Sequence, residues 1–193
     1  MLREKLKNHH LILASASPRR QQFLKELGLD FEIRLKPVEE IYPDGLKPSE
    51  IAEYLAKLKA EAFPDLKPNE ILITGDTIVV FENKILGKPK NEEEAFEMLR
   101  MLSGKKHKVI SSVCLKSTEK TSIAHDVTKV WFKELSAEEI RYYIDNFQPF
   151  DKAGAYGIQE WIGQIGVEKI EGSYFTVMGM PVHLLYEMLK NHA

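Results

Sequence analysis

The segment Ala14-Ser15-Ala16-Ser17-Pro18-Arg19-Arg20 places two hydroxyls, a proline and two arginines within seven residues. The apolar run Leu11 to Leu13 precedes it and reads as a buried strand. Phe23, Leu24 and Leu27 follow on one helical face, with Gly28 as the stop. Ser17 stands at the N-cap position, and Pro18 at the first helical position has the φ that position needs. Arg19 and Arg20 therefore fall in the first turn, facing the positive end of the helix dipole. Two cations there, beside free backbone N–H groups and serine hydroxyls, suit a bound polyanion such as phosphate. The alternative is a surface helix that begins with two solvated arginines.

Further groups could act on such an anion. Glu70-Ile-Leu-Ile-Thr-Gly-Asp-Thr-Ile-Val-Val-Phe81 is apolar on both sides of Gly75-Asp76-Thr77, which reads as an interruption between two strands. A carboxylate within so apolar a run is costly to bury unless something pairs with it. Turn chemistry would explain Asp76, and so would a metal ligand or a general base held rigidly by its flanks. Val38-Glu39-Glu40 sets two carboxylates in a loop. Gly87-Lys88-Pro89 puts a lysine on a tight connection. Gln159 offers an amide that can both donate and accept, as reading a base edge requires. Lys59 lies on a helix, where a solvated surface lysine is the ordinary reading.

The elements that position these residues alternate in type. Phe31 to Leu35 alternates as a half-buried strand. Pro37, Pro43, Asp44, Gly45 and Pro48 mark a loop, after which Ser49 caps a helix from about Glu50 to Phe63. Asn91 caps a helix whose first turn, Glu92 to Glu94, matches the dipole. That acidic run is helix-end chemistry, not a metal site. His107 to Lys116 and Ile123 to Phe132 alternate as an antiparallel hairpin turning over Ser117 to Thr121. His107 reads as structural, and Cys114 as a small core hydrophobe. Ser136-Ala-Glu-Glu139 is a capping box opening a helix through Ile144. Asp151 to Gln159, Glu171 to Tyr174 and Val177 to Pro181 are irregular and glycine-bearing. They suggest backbone that approaches something closely. Pro181 starts a last helix, His183 to Leu189.

Bulk properties narrow the class. With 193 residues, 44% hydrophobic and 29% charged, a single globular domain or two lobes on one core is expected. A net charge of -2 gives no basic footprint for nucleic acid. One cysteine excludes an internal disulfide and zinc-type spacing, and fits a reducing, cytoplasmic setting. No apolar run approaches a membrane span, and Met1 to Lys7 has no signal-peptide core.

Taken together, the motifs resemble the Maf-like nucleotide pyrophosphatases. Ala14 to Arg20, Gly75 to Thr77, Gly87 to Pro89, Leu102 to Gly104, Asp151 to Gln159, and Gly172 to Tyr174 with Gly179 to Pro181 occur in that family's order and spacing. The match runs from about Leu11 to Leu189. It implies a single domain over 1–193. The implied fold is α/β, with a long curved mixed β-sheet flanked by helices, in two lobes with a central cleft, similar to inosine triphosphate pyrophosphatases. It implies hydrolysis of nucleoside triphosphates to the monophosphate and pyrophosphate with a divalent cation, Mg²⁺ or alternatively Mn²⁺. By position, Ser15, Arg19 and Arg20 look like the triphosphate cradle, and Glu40 like an acidic metal ligand. Lys59 matches the family's second-helix lysine and Lys88 its glycine-lysine-proline lysine, which the resemblance implies are catalytic groups that offset phosphate charge and stabilise the transition state. Asp76 matches the proton acceptor and second metal ligand. Arg19, Thr77 and Gln159 match positions that select the base.

The Asp151-to-Gln159 string resembles the branch acting on dTTP and UTP. Gly75 stands where a small pair often precedes the aspartate, which leaves substrate preference open. House-cleaning of modified pyrimidine nucleotides, or nucleotide-binding regulation of septum formation, are the other functions the resemblance carries. It further implies a homodimer, no membrane partner and no stable nucleic-acid partner.

Overall fold

Seven strands form one mixed sheet in the order β2-β1-β3-β5-β6-β7, with β4 paired on β3. The computed structural model describes residues 1–192. In chain order the elements are α1 (Leu2–Lys5), β1 (His10–Leu13), α2 (Pro18–Glu26), β2 (Phe31–Ile33) and α3 (Pro48–Glu61). Then come β3 (Glu70–Phe81), β4 (Lys84–Leu86), α4 (Glu92–Leu102), β5 (Lys106–Lys116), β6 (Thr121–Phe132) and α5 (Ala137–Phe147). Two 3-10 turns, Pro149–Asp151 and Ala153–Ala155, lead to α6 (Trp161–Gly166), β7 (Val167–Glu171), α7 (Tyr174–Met178) and α8 (Val182–His192). Strand β1 is parallel to β2 and β3, whereas β4 and β7 are antiparallel to their neighbours. The sequence-based α/β expectation, a mixed sheet with helices against it, holds.

The chain divides into two compact units. The first holds residues 1–76, 111–126 and 179–192; the second holds Thr77–Ile110 and Val127–Met178. In the first, β1 pairs Leu11 with both Phe31 and Ile71. Leu11, Ile12 and Leu13 are all buried, as expected of a parallel strand covered on both faces. Helix α3 lays Ala56 and Ala60 on Ile12, Leu72 and Cys114, with Phe63 closing the cluster. Glu70, at the start of β3, is buried against Arg34, whose Nη2 lies 3.0 Å from Glu70 Oε1. That guanidinium, with the Lys67 backbone N–H, holds the Glu70 carboxyl below the ordinary carboxylate range.

In the second unit, Leu99 and Leu102 of α4, Ile140, Tyr143 and Ile144 of α5, and Val130 and Phe132 of β6 share one core. Both N-caps read from sequence form. Asn91 Oδ1 accepts the Glu94 N–H at 2.8 Å, and Ser136 and Glu139 close a reciprocal capping box. His107 is buried, with Nε2 2.7 Å from the Tyr156 hydroxyl and its ring edge-on to Phe132. The structural reading of His107 fits this setting. Cys114 of the first unit is fully enclosed, and burial pushes its thiol up to about 11, so it packs as an inert hydrophobe.

Several boundaries differ from the sequence reading. Gly75-Asp76-Thr77 does not interrupt β3, which runs unbroken from Glu70 to Phe81. Helix α3 starts at Pro48, not after a Ser49 cap; the Lys47 N–H donates to Glu50 Oε2 at 2.7 Å. Strand β2 stops at Ile33. The sequence reading assigned no element between Gln159 and Glu171, where α6 and β7 form, and α7 falls across the stretches read as irregular; these short lengths leave too few residues for a visible period. Among the described residues, no helix is long and apolar enough to cross a membrane.

The His107 environment gives a pH prediction. Burial lowers its pKa from 6.5 to about 4. The unfolded chain therefore takes up a proton between these values while the folded chain does not, and stability falls as pH drops through that window. The full span corresponds to about 3 kcal/mol. Urea unfolding at pH 7, 5.5 and 4.5 should show a shallower loss for His107→Gln than for the wild type. Parallel slopes would refute the assignment.

Candidate active site

Asp76 is buried in the middle of β3, at 7% exposure. The cost of enclosing a carboxylate is offset by Lys59, whose Nζ donates to Asp76 Oδ1 at 2.5 Å. The same ammonium lies 3.0 Å from Glu40 Oε1, and Glu40 is the most open of the three, its side chain 45% exposed. One lysine thus joins a strand carboxylate to a loop carboxylate. Three residues that the sequence places 36 positions apart at most within the first unit meet at one cation.

The helix bearing Lys59 is fixed by small residues and hydroxyls. Ala52, Ala56 and Ala60 recur every four positions and are fully buried, which lets α3 approach the sheet closely. The Thr74 hydroxyl donates to the Ala56 carbonyl at 2.6 Å, and the Ser112 hydroxyl to the Ala52 carbonyl at 2.6 Å. At the far end, Lys116 Nζ donates to the Ala60 carbonyl at 3.2 Å and, just past the helix, to the Phe63 carbonyl at 2.8 Å, tying β5 to the end of α3. These bonds set both the rotation and the height of α3, and so the reach of Lys59.

Gly75 serves the same alignment from the strand side. A Cβ there would lie 2.7 Å from the Ser112 carbonyl oxygen, closer than such atoms come. The glycine before Asp76 is therefore a requirement of strand spacing, not a turn.

The turn from β1 into α2 carries Ser15, Arg19 and Arg20. Ser17 occupies the N-cap position, but its side chain makes no capping bond. Its backbone N–H donates to Ser15 Oγ at 3.2 Å. Arg20 is half-buried, with Nη1 donating to the Gly75 carbonyl at 2.8 Å and Nε to the Gly179 carbonyl at 2.9 Å. Burial pulls its pKa below the ordinary value; Asp76 raises it, Arg19 lowers it further and Glu40 raises it.

The second unit carries Thr77, Lys88 and Gln159. Thr77 is half-buried in β3, next after Asp76. Lys88 is exposed, and its connection is tied down by the Gly154 N–H donating to the Gly87 carbonyl at 3.0 Å. Gln159 Oε1 is enclosed and has no hydrogen-bond partner. Around it a polar network holds the backbone: Lys152 Nζ lies 2.7 Å from Asp151 and 3.1 Å from Glu160, and the Tyr143 hydroxyl bonds Glu160 while accepting the Gly157 N–H. A Cβ on Gly157 would lie 2.9 Å from Gln159 Nε2 and from the Glu160 carboxyl carbon. The close approach expected of this glycine-rich string is thus real.

A family model described as Maf-like protein matches residues 10–192. The chain belongs to the Maf-like family. The dTTP/UTP pyrophosphatase of Flavobacterium johnsoniae is 62% identical over 98% of each chain. Those of Flavobacterium psychrophilum and Christiangramia forsetii are 57% identical over 100% of this chain and 99% of theirs, and 54% over 98% and 97%. Among solved structures, the Ham1 protein of Staphylococcus aureus superposes with a TM-score of 0.56 at 16% identity, over 95% of this chain and all of that one. That likeness shows a shared fold.

Within this Maf-like chain, Ser112, Thr74, Tyr143, Lys152 and Glu160 carry positioning roles that the sequence reading did not assign. Their signal was polar residues inside otherwise apolar or structured runs, which does not reveal a partner 8 to 60 residues away.

Gly75 and Gly87 make a matched test. Gly75→Ala must displace the Ser112 carbonyl and should cost about 1–3 kcal/mol in urea unfolding. A Cβ at Gly87 meets open space, and Gly87→Ala should stay within about 0.5 kcal/mol of wild type. Equal effects at the two sites would contradict the strand-spacing argument.

Proposed function

We propose that this Maf-like chain hydrolyses dTTP and UTP to the nucleoside monophosphate and pyrophosphate. The observation that carries this reading is the Lys59–Asp76–Glu40 cluster, found in a chain 62% identical to a relative of that name. In the proposed step a water oxygen bonds to the α-phosphorus. The bond from that phosphorus to the α–β bridging oxygen breaks, and pyrophosphate leaves with the electron pair. Asp76 takes the water proton, as a rigidly held carboxylate can. Lys59 keeps positive charge beside both carboxylates, and Arg19 and Lys88 add cations for the phosphate oxygens. Ser15 supplies a hydroxyl and backbone at the same turn as Arg19.

The donor set suits a hard divalent cation. Asp76 and Glu40 offer carboxylate oxygens drawn to one point by Lys59, and Mg²⁺ characteristically uses one or two carboxylates and keeps its remaining places for water and phosphate. Among the described residues no group of three or more His, Cys, Asp or Glu is placed to hold a metal ion, and in this reading water and substrate oxygens would complete the coordination. Asp76 and Glu40 would hold Mg²⁺, or Mn²⁺ in its place, and the ion supplies charge neutralisation for the phosphates when bound.

For base choice, Gln159 presents an enclosed, unpartnered carbonyl oxygen. It suits an imide N–H, which thymine and uracil carry at N3 and cytosine lacks. Arg19 and Thr77 complete the base-selecting set in this reading. The active species is a homodimer in a reducing, cytoplasmic compartment.

Pyrophosphate release from a panel of canonical and modified nucleoside triphosphates, with Mg²⁺ and with chelator, tests the proposal. dTTP and UTP should turn over and CTP should lag, with activity lost on chelation. Asp76→Asn should lower kcat on the order of 10²–10³-fold with the fold intact by circular dichroism. Turnover restricted to a modified pyrimidine would move the role to pool cleaning, and no turnover of any nucleotide would overturn the enzymatic reading.

A further inference from the structure

Arg20 stands in the first turn of α2, where a cation faces the positive end of the helix dipole. A phosphate ligand is one way to satisfy it. The structure supplies another. Nη1 donates to the Gly75 carbonyl, 55 residues away, and Nε to the Gly179 carbonyl, 159 residues away. Gly75 is the residue before Asp76. Gly179 has φ +114°, a conformation glycine favours, and sits two residues before Pro181, whose carbonyl opens the hydrogen bonding of α8. Gly75 is thereby held from two sides. A Cβ built on it lies 2.7 Å from the Ser112 carbonyl oxygen and 3.8 Å from both Cζ and Nε of Arg20.

We infer that Arg20 is a positioning residue, whose guanidinium fixes the backbone that carries Asp76 instead of binding the triphosphate. The two bonds leave from adjacent nitrogens of a rigid planar fork and reach carbonyls on separate segments. A lysine ammonium is a single point on a flexible stem and cannot reproduce that geometry. Asp76 and Glu40 supply negative charge near the guanidinium, so its place at a helix N-terminus needs no external anion. Arg19, the neighbouring arginine, keeps the phosphate role in the proposed function. This inference rests on that function only for its kinetic arm.

The test separates the two roles. Arg20→Lys keeps the charge and loses the fork. Its kcat for dTTP should fall about 30- to 100-fold. Its KM, and its affinity for a non-hydrolysable α,β-imido analogue of dTTP measured with Mg²⁺ by calorimetry, should stay within threefold of wild type. In Arg20→Ala, added methylguanidinium should restore part of kcat. Analogue binding weakened more than tenfold, or a kcat within threefold of wild type, overturns the inference. Should the variants fail to fold, the wild-type protein gives the answer without substitution. The Arg20 Nε–H resonance should already be protected from solvent exchange without nucleotide, and should keep its shift when the analogue is added. Protection that appears only with the analogue marks a phosphate ligand and overturns the inference. A wild-type enzyme that releases no pyrophosphate from dTTP or UTP refutes the proposed function, while the resonance measurement still decides the role of Arg20.

Discussion

The shared ammonium of Lys59 is the interaction on which the first unit depends. A carboxylate in the interior of a β-strand is tolerated only where a partner offsets the lost hydration. Asp76 has that partner at 2.5 Å, and the same cation reaches Glu40. The pairing constrains everything that sets the distance. Helix α3 must lie close, which buried alanines at positions 52, 56 and 60 allow. It must not slide, which the Thr74 and Ser112 hydroxyls prevent by bonding helix carbonyls. Strand β3 must lie close to Ser112, which Gly75 allows. The core and the charged cluster are therefore one problem in packing, solved by small residues on both sides.

Much of the fold was legible from local pattern. The buried run Leu11 to Leu13 and the Asn91 and Ser136 caps carry strong short-range signals, whereas β5, read as alternating, is buried on both faces from Val109 to Leu115. Gly28, read as the stop of α2, has φ +69° just past its end. The continuity of β3 was not legible. Gly75-Asp76-Thr77 carries turn-forming types, and the facts that make it strand lie elsewhere in the chain. They are a lysine 17 residues earlier and a carbonyl 37 residues later. Periodicity reports what a segment would do alone, and a paired charge is a property of two segments.

The candidate site was legible to a different degree. The residue types were found, and Glu40, Lys59 and Asp76 do converge. Lys59 shows the limit most plainly, since nothing on its helix distinguishes it from the solvated Lys57 two residues before. Its significance came from matching a motif, and its geometry from the fold. In the second unit, Gln159 was singled out for its chemistry, but the scaffold around it was invisible. Tyr143 and Glu160 are 17 residues apart, and their bond matters because Gly157 brings the backbone against both.

The two adjacent arginines of α2 show how one sequence signal can have two physical resolutions. A cation at a helix N-terminus is unfavourable by the dipole alone, on the order of 0.3–1 kcal/mol. A hydrogen bond from a charged donor is worth more than that, about 1.5–3 kcal/mol. Two carbonyl acceptors thus suffice to hold Arg20 where the dipole opposes it, with Asp76 and Glu40 adding to the balance. The anomaly in the sequence was a true sign of nearby negative charge. For Arg20 the charge is already built into the chain, in backbone oxygens and carboxylates that only folding brings within reach.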